Sequence, residues 1–404
     1  MENIHNISNK LGLDISEPVV IFGACRAGLY HHSVLNYLNF EINCFIDNSV
    51  KKFGREYLGR EVLRPEEGVA KFGDATFILA LMNGANVRKA KSQLVDLGVE
   101  EKKIKFVSPD VVLLYTQLFS QRKLNIEKYE RYKHDLFNHT GLQRNHQLAP
   151  SFTVIVTERC NLACENCMAF VPQNREPTTF GADEIIESVR KYAASFEYVY
   201  RVCLMGGEPF VHKEFAKIVD GISQIENILF IDIATNGTVV PPPGLMQVLK
   251  KYGLGVEISD YGVVSRKMSE LFRECEKEGV VFYHQDYSEK QWTELGLLPK
   301  QNRDYVTNRT RFIECSQYLT NHVRDGRLYR CVFSAMVDKL GYIETPNSDY
   351  VDLLNSGDQT INQKIHDFTF RTEPLAACDI CMGLDRAKVK PGIQPQKNLN
   401  SAIK

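Results

Sequence analysis

The sequence predicts an α/β protein in which two series of βα units are followed by a small cysteine-rich region. Short apolar runs alternate with helical patterns over roughly the first 110 residues, and longer units of the same kind resume at residue 151. Beyond about residue 300 the alternation breaks into short pieces. Because strands that alternate with helices form parallel sheets, we predict four segments: residues 1–110, a helical linker at 111–150, a second βα domain at 151–300 and a C-terminal domain at 301–404.

Composition limits the classes of function. The chain has 404 residues with 44% hydrophobic and 25% charged residues and a net charge of −1, which indicates a globular protein without the basic surface of a nucleic-acid binder. No basic segment followed by an apolar stretch opens the chain, and no run of about 18 apolar residues occurs. We therefore expect a cytoplasmic protein with no membrane and no nucleic-acid partner. In that reducing compartment the eleven cysteines favour metal ligands, catalytic groups or buried thiols over disulfides.

The first series predicts a Rossmann-like domain with a parallel sheet. The strand Pro18–Phe22 leads into the turn GACRAG and a helical pattern, and three more apolar runs follow at 42–46, 76–81 and 104–107. GACRAG keeps the outer glycines of GxGxxG but has Cys25 at the middle position, which weakens the match to dinucleotide binding. Asp47, at the end of the second strand, is placed for a ribose hydroxyl. Nucleotide-sugar binding and a purely scaffolding role both remain open for this domain.

The second series is too long for another small nucleotide-binding fold and indicates part of a (βα) barrel, whose sites lie at the carboxyl ends of the strands. We expect its strands at 152–156, 198–204, 228–234, 255–259 and 280–283. At the end of the first strand stands TERCNLACENCMAF, with cysteines at spacings of four and three. Three buried small side chains do not suit such a polar loop, and zinc usually takes four N or S ligands. A four-iron cluster held by three thiolates with one iron left open fits this set better: Cys160, Cys164 and Cys167.

Cys-x3-Cys-x2-Cys at the end of a first barrel strand resembles the signature of the radical S-adenosylmethionine (SAM) superfamily. The resemblance implies a partial (βα)6 TIM-like barrel in which the amino and carboxylate groups of SAM chelate the fourth iron. MGGEP at the end of the second strand resembles the segment that binds the methionyl amine in that family, and ATNG and ISD resemble later positions around SAM. Asn166 departs from the family, where an aromatic residue often stands before the third cysteine. The implied SAM-binding residues are Gly206, Gly207, Glu208, Pro209, Asn236, Ser259 and Asp260.

The C-terminal region contains a second cysteine set. CSQYLTNHVRDGRLYRC and the later CDIC give four thiols, which is the full complement of a closed four-iron cluster. The spacing resembles the shortened SPASM form called a twitch domain, which implies one auxiliary cluster, and a zinc ribbon is the alternative. The ligands would be Cys315, Cys331, Cys378 and Cys381.

The resemblance also implies the chemistry. A reduced cluster would cleave SAM to methionine and a 5′-deoxyadenosyl radical, which abstracts hydrogen from the substrate, and a reductant such as flavodoxin or ferredoxin would supply the electron. The text around residues 42–67 resembles small domains of sugar-modifying proteins, so we predict dehydrogenation or epimerisation of a carbohydrate or nucleotide-sugar. Candidate acid–base groups on and after the fifth strand are His284, Asp286 and Tyr287. The alternatives are a radical SAM maturase of a ribosomally made peptide and a non-catalytic metal-binding protein.

Overall fold

The computed structural model describes residues 11–82, 84–138, 145–287, 291–355, 360–383 and 386–394. The chain forms two compact units. The first contains Met1–Arg122 and Glu130–Asn145, and the second contains Lys123–Tyr129 and His146–Lys404. The mixed α/β class with parallel sheets is confirmed in both units. The finer division into four segments stays a prediction.

The first unit is built on a six-stranded sheet. In chain order its strands are β1 (Val19–Phe22), β2 (Ile42–Ile46), β3 (Glu56–Tyr57), β4 (Arg60–Leu63), β5 (Thr76–Leu79) and β6 (Ile104–Lys105). Their spatial order is β3-β4-β2-β1-β5-β6, and every neighbouring pair except β3–β4 is parallel. The central strands β1 and β5 are buried along their whole length, as expected for a sheet covered on both faces.

Helices lie between these strands and after the last of them. They are α1 (Arg26–Tyr37), α2 (Pro65–Phe72), α3 (Gly84–Asp96) and α4 (Ser108–Phe119), and α5 (Ile126–Phe137) follows in the chain. The turn before α1 depends on its glycines, since a Cβ at Gly28 would lie 2.0 Å from the carbonyl oxygen of Gly23. The outer glycines of GACRAG thus let the helix pack closely on its own turn.

The second unit contains an eight-stranded sheet. Its first five strands run in sequence: β7 (Leu148–Thr157), β8 (Tyr198–Gly206), β9 (Ile228–Thr235), β10 (Gly255–Asp260) and β11 (Phe282–Asp286). They pair in parallel and in chain order, as the predicted barrel requires. A sixth parallel strand, β13 (Asn321–Arg324), pairs with β7 and so lies at the edge opposite β11. A sequentially wound barrel would place its sixth strand beside the fifth.

Helices cover one face of this sheet, namely α6 (Ala182–Ala194), α7 (Phe215–Ser223), α8 (Pro243–Lys251) and α9 (Met268–Glu278). Their apolar residues form one core with alternate residues of the strands, including Val202, Leu204 and Ile233. Because side chains alternate between the faces of a strand, the residues between these positions lie on the inner face.

Residues 291–394 of the second unit complete its sheet and add short elements. The strands are β12 (Trp292–Thr293), β14 (Arg327–Tyr329), β15 (Val351–Asp352) and β16 (Lys388–Val389). Strands β14 and β15 extend the large sheet beyond β13, while β12 and β16 form a separate antiparallel pair. The helices are α10 (Tyr305–Ile313), α11 (Val332–Lys339), α12 (Ile361–Thr369) and α13 (Ala376–Ile380).

The bounds of the predicted strands agree with the structure to within four residues. The largest difference is at the start of β7, predicted at 152, and the fifth barrel strand, predicted at 280–283, is Phe282–Asp286. Within the described part of the chain, no helix has the length and apolar character needed to cross a membrane.

Candidate active site

The first cysteine loop starts where β7 ends, and two glycines at the end of β8 let the neighbouring backbone approach it. The amide of Gly207 donates to the carbonyl oxygen of Thr157 at 2.8 Å, and the amide of Glu208 donates to that of Arg159 at 2.9 Å. A Cβ at Gly206 would lie 2.1 Å from the Thr157 oxygen, and one at Gly207 would lie 2.2 Å from the Arg159 oxygen. The two glycines are therefore needed to seat the GGEP segment on the cysteine loop.

The three thiols of this loop share a desolvated environment. Burial raises the pKa of Cys160 to about 12, that of Cys164 to about 11, and that of Cys167 above its ordinary value. A thiolate at Cys167 would raise the pKa of both other thiols further. At pH 7 all three are neutral in the metal-free protein, so binding of iron must displace protons.

N–H groups point at all three sulfurs, and those that reach Cys167 are the backbone amides of Ala169 and Val171. The backbone amide of Leu162 lies 3.4 Å from Cys160 Sγ, and the side-chain amide of Asn236 lies 3.6 Å from it. The side-chain amide of Gln394 lies 2.8 Å from Cys164 Sγ. Hydrogen bonds to ligating sulfurs are among the features that tune iron–sulfur clusters.

Glu208 is a carboxylate with no exposed surface at the ends of β8 and β9. It accepts from the amide of Asn236 at 2.8 Å, the hydroxyl of Thr235 at 2.8 Å and the amide of Phe210 at 3.1 Å. Burial outweighs these donors and raises the pKa of Glu208 to about 7. The side chain is thus poised to ionise when a positively polarised group arrives.

Asn236 joins the predicted segments to one another. Its Nδ2 donates to Asn161 Oδ1 at 3.1 Å, and its Oδ1 accepts from the amide of Thr238 at 3.0 Å. Thr238 in turn accepts from Asn161 Nδ2 at 2.6 Å. The loop after β9 is therefore tied by side chains to the loop that carries the cysteines.

The segment after β10 reaches the same region through Ser265. Its hydroxyl lies 2.9 Å from the carbonyl oxygen of Asn236 and 3.2 Å from that of Ser259. Ser259 is buried and also hydrogen-bonds the side chains of Tyr261 and Tyr287, whose rings pack with centroids 5.3 Å apart. Desolvation raises the pKa of both tyrosines, so their hydroxyls stay protonated.

The structure separates the three candidate acid–base residues. The ring of His284 packs edge-on against Phe272 of α9, on the helix side of the sheet, and its Nε2 lies 3.0 Å from Asp260 Oδ2. Asp286 ends strand β11, and Tyr287 lies beside Tyr261 and Ser259 at the strand ends.

A polar network on the inner face of the barrel was missed by the sequence reasoning. Arg201 contacts the buried carboxylate of Asp232 and lies 3.6 Å from Glu257 Oε2, and the hydroxyl of Tyr283 lies 3.2 Å from the same oxygen. The side chains of Arg201 and Glu257 are 26% and 21% exposed, so the network is open on one side. The signal was present in the sequence, because one charged residue interrupts each of the apolar strands VYRVCL, LFIDIA and GVEIS.

The second cysteine set also comes together. Burial raises the pKa of Cys378 to about 12, and nearby thiols at Cys331, Cys381 and Cys315 raise it further. Burial likewise raises the pKa of Cys331. Cys331, Cys378 and Cys381 pack against an apolar cluster that includes Phe170 and Phe333.

Donors surround this set as well. Backbone amides lie within hydrogen-bond reach of three of the sulfurs: Gln317 N at 3.4 Å from Cys315, Ser334 N at 3.3 Å from Cys331 and Gly383 N at 3.3 Å from Cys381. Arg386 approaches Cys381 Sγ at 3.5 Å.

Both cysteine sets fit iron–sulfur clusters by the chemistry of their donors. Each set is made of soft thiols and has N–H groups near its sulfurs. Among the described residues, no group of three or more His, Cys, Asp or Glu side chains converges closely enough to bind a single metal ion. Thiolates of a four-iron cluster bind separate irons and need not converge on one point.

The proposed ligand turn of the first unit is closed by its own side chains. Asp47, expected to be placed for a ribose hydroxyl, instead accepts from the amides of Ala24 and Ser49 at 2.9 Å each and pairs with Lys52 at 2.9 Å. Lys52 also donates to the carbonyl oxygen of Ala24 at 2.8 Å. The carboxylate therefore serves to close the turn. Of the remaining cysteines, Cys44, Cys203 and Cys275 are buried, and Cys25 is half-buried.

Part of the chain matches a known protein family. Residues 154–263 match the family described as the Radical SAM superfamily. This stretch begins on β7, contains the first cysteine loop and the GGEP segment, and ends after β10. The chain therefore contains a region that matches the Radical SAM superfamily, and this region covers less than half of its length.

Individual relatives match over parts of their length. The molybdenum cofactor biosynthesis protein moc-5 of Caenorhabditis elegans is 28% identical over 206 residues, which cover 46% of this chain and 34% of that protein. The GTP 3′,8-cyclase of Aquifex aeolicus is 29% identical over 134 residues, covering 32% of this chain and 40% of the cyclase. A solved structure of BtrN with AdoMet and 2-DOIA superposes with a TM-score of 0.41 at 14% identity, covering 61% of this chain and 96% of that one. The chain thus spans well under half the length of moc-5 and of the cyclase.

Proposed function

We propose that the protein is a radical SAM enzyme that abstracts hydrogen from a carbohydrate or nucleotide-sugar, leading to dehydrogenation or epimerisation. The observation that carries the proposal is the meeting of three desolvated thiols, the buried Glu208 and Asn236 at the carboxyl ends of consecutive barrel strands. When bound, a four-iron cluster and SAM would supply a 5′-deoxyadenosyl radical.

The chain's own residues would hold and orient the cofactor. Cys160, Cys164 and Cys167 would ligate the cluster. Glu208 would accept from the amino group of SAM, which removes the cost of leaving a buried carboxylate without a positive partner. The segment around Ser259 and Asp260 would contact the ribose. A cytosolic location and a reductant such as flavodoxin or ferredoxin stay predictions.

The inner-face network supports a polar substrate. Arg201, Asp232, Glu257 and Tyr283 offer donors and acceptors in one open group, and Asp232, Glu257 and Tyr283 each stand three residues before the end of their strands. A substrate lying between the strand ends and this network would meet donors and acceptors that can hydrogen-bond hydroxyl groups. A polyhydroxylated substrate fits this chemistry best.

The second cysteine set would hold an auxiliary four-iron cluster. Such a group supplies a one-electron acceptor when bound, which suits oxidation of a carbon that bears a hydroxyl. The hydroxyl proton would need a base of this chain. Of the predicted candidates we keep Asp286 at the end of β11, because the hydroxyl of Tyr287 is held protonated and the ring of His284 packs on the helix side of the sheet.

The experiment is turnover by anaerobically reconstituted protein with SAM, a reductant and a substrate panel. Nucleotide-sugars and free sugars are tested against peptides, and GTP is included because relatives are named GTP 3′,8-cyclase. With a sugar deuterated at the reacting carbon, we expect deuterium in 5′-deoxyadenosine. Transfer only from a peptide would favour a peptide maturase, and transfer from GTP would favour a cyclase.

Variants separate the enzyme from a metal-binding protein without activity. Replacing the three cysteines of the first loop by alanine should abolish formation of 5′-deoxyadenosine, and unchanged formation would refute the radical SAM proposal. Glu257→Gln should weaken turnover of the substrate while leaving the iron content unchanged. Glu278→Gln, at a half-exposed position on α9, is the matched control.

A further inference from the structure

A short segment near the end of the described chain lies against the first cysteine loop. We call residues 386–394 the strap. It includes β16, which pairs with β12 through Val389 and Trp292, and the amide of Glu294 donates to the carbonyl oxygen of Ala387 at 2.8 Å. The strap is thereby fixed along its length before it reaches the cysteines.

Two strap residues bind three consecutive residues of the loop. The amide of Glu165 donates to the carbonyl oxygen of Ile393 at 2.8 Å, and the amide of Ala163 donates to Gln394 Oε1 at 2.8 Å. Gln394 Nε2 donates to Cys164 Sγ at 2.8 Å. The strap thus contacts the loop on both sides of Cys164 and at its sulfur.

The side chain of Gln394 is only 7% exposed and uses both ends of its amide. Its Nε2 also lies 3.0 Å from the carbonyl oxygen of Gly392, which fixes the orientation of the amide. At Gly392 the strap passes so close to Tyr261 that a Cβ would lie 2.6 Å from that residue's Cβ. A buried amide with such a set of partners holds one orientation, with its N–H toward the sulfur.

We infer that Gln394 is a positioning residue for the first cluster: its amide holds the Cys164 loop and donates a hydrogen bond to the ligating sulfur. The inference rests on the proposed function, in which Cys164 binds the cluster. A donor to a ligating thiolate stabilises its negative charge and the additional charge of the reduced cluster, so it makes reduction easier. The same bond keeps the ligand oriented for iron.

Two variants remove the donor to the sulfur. Gln394→Glu keeps the length of the side chain and its acceptor for Ala163 but cannot donate to the sulfur. Gln394→Met keeps only the length. The control is Lys390→Ala, which changes an exposed residue of the same strap.

The test uses the full chain after anaerobic reconstitution. The reduction potential of the first cluster is followed by electron paramagnetic resonance, and the change of its signal on addition of SAM identifies the cluster with an open iron. Both Gln394 variants should shift the potential to more negative values, and a chelator should remove the iron of this cluster about tenfold faster than from the wild type. Lys390→Ala should match the wild type in both measurements.

The outcomes distinguish the inference from the proposed function. If the wild type binds a SAM-responsive cluster and both Gln394 variants keep its potential and its rate of iron release, the inference is wrong. If the wild type binds no such cluster, the proposed function itself fails. Loss of iron from the first site alone in both variants supports the inference, because the second cysteine set does not contact Gln394 in the described structure.

Discussion

The pKa of Glu208 gives SAM binding a specific pH dependence. Burial raises this pKa from 4.5 to about 7. Ionised and neutral forms are then equal near pH 7, and the ionised fraction falls about tenfold between pH 8 and pH 6. Because the ionised carboxylate is the form that accepts from an amino group, we expect the affinity for SAM to fall about tenfold over the same range.

The perturbation is Glu208→Gln, and the assay is equilibrium binding of SAM to anaerobically reconstituted protein from pH 6 to pH 8. The variant should bind SAM more weakly at pH 8 and lose the part of the pH dependence that Glu208 causes. The slope that remains in the variant reports the amino group of SAM itself. Glu214→Gln, at a 56% exposed carboxylate in the same segment, should behave like the wild type.

The same pKa predicts the stability of the metal-free protein. A carboxyl whose pKa is higher in the folded than in the unfolded state binds more protons when folded, so its contribution is complete below about pH 4.5 and is lost as pH rises through about pH 7. The shift corresponds to a loss of about 3 kcal/mol in the free energy of unfolding. Denaturant unfolding should show this loss in the wild type and not in Glu208→Gln.

An affinity for SAM that does not change with pH in the wild type, or the same slope in both proteins, would refute the reasoning.

Three further predictions concern the clusters and the packing around them. Reconstituted protein should hold about eight irons and eight sulfides per chain, and the variant without the first three cysteines should keep about half of each. Zinc bound to the second cysteine set after anaerobic purification would contradict the auxiliary cluster. Gly207→Ala should lower stability by about 1–3 kcal/mol in denaturant unfolding and reduce iron retention, since the new Cβ would lie 2.2 Å from a carbonyl oxygen of the cysteine loop. Gly244→Ala, with open space around it, is its control, and an equal effect of both would contradict the packing argument. Arg324→Met should lower the free energy of unfolding by about 3–5 kcal/mol, because it removes the guanidinium that lies 2.6 Å from the buried carboxylate of Glu158. Arg327→Met, at a side chain that is 41% exposed, should lower the free energy of unfolding far less.

Much of the fold and the grouping of the first three cysteines could be predicted from the sequence alone. The alternation of apolar and helical patterns predicts parallel sheets, because strand and helix periods are local properties. The spacing Cys160, Cys164, Cys167 is equally local, since three thiols on one short loop are close in space whatever the rest of the chain does. Glu208 and Asn236 could be placed near them because parallel strands end at one edge of a sheet.

Other features were decided by the tertiary structure. The sequence does not say that β13 pairs with β7, that Gln394 lies against Cys164, or that the ring of His284 packs against Phe272. Each depends on contacts between residues far apart in the chain or on which face of an edge strand meets a helix. Local periodicity cannot specify such contacts, because they are selected by the packing of the whole core and by the burial of polar groups that must find partners there.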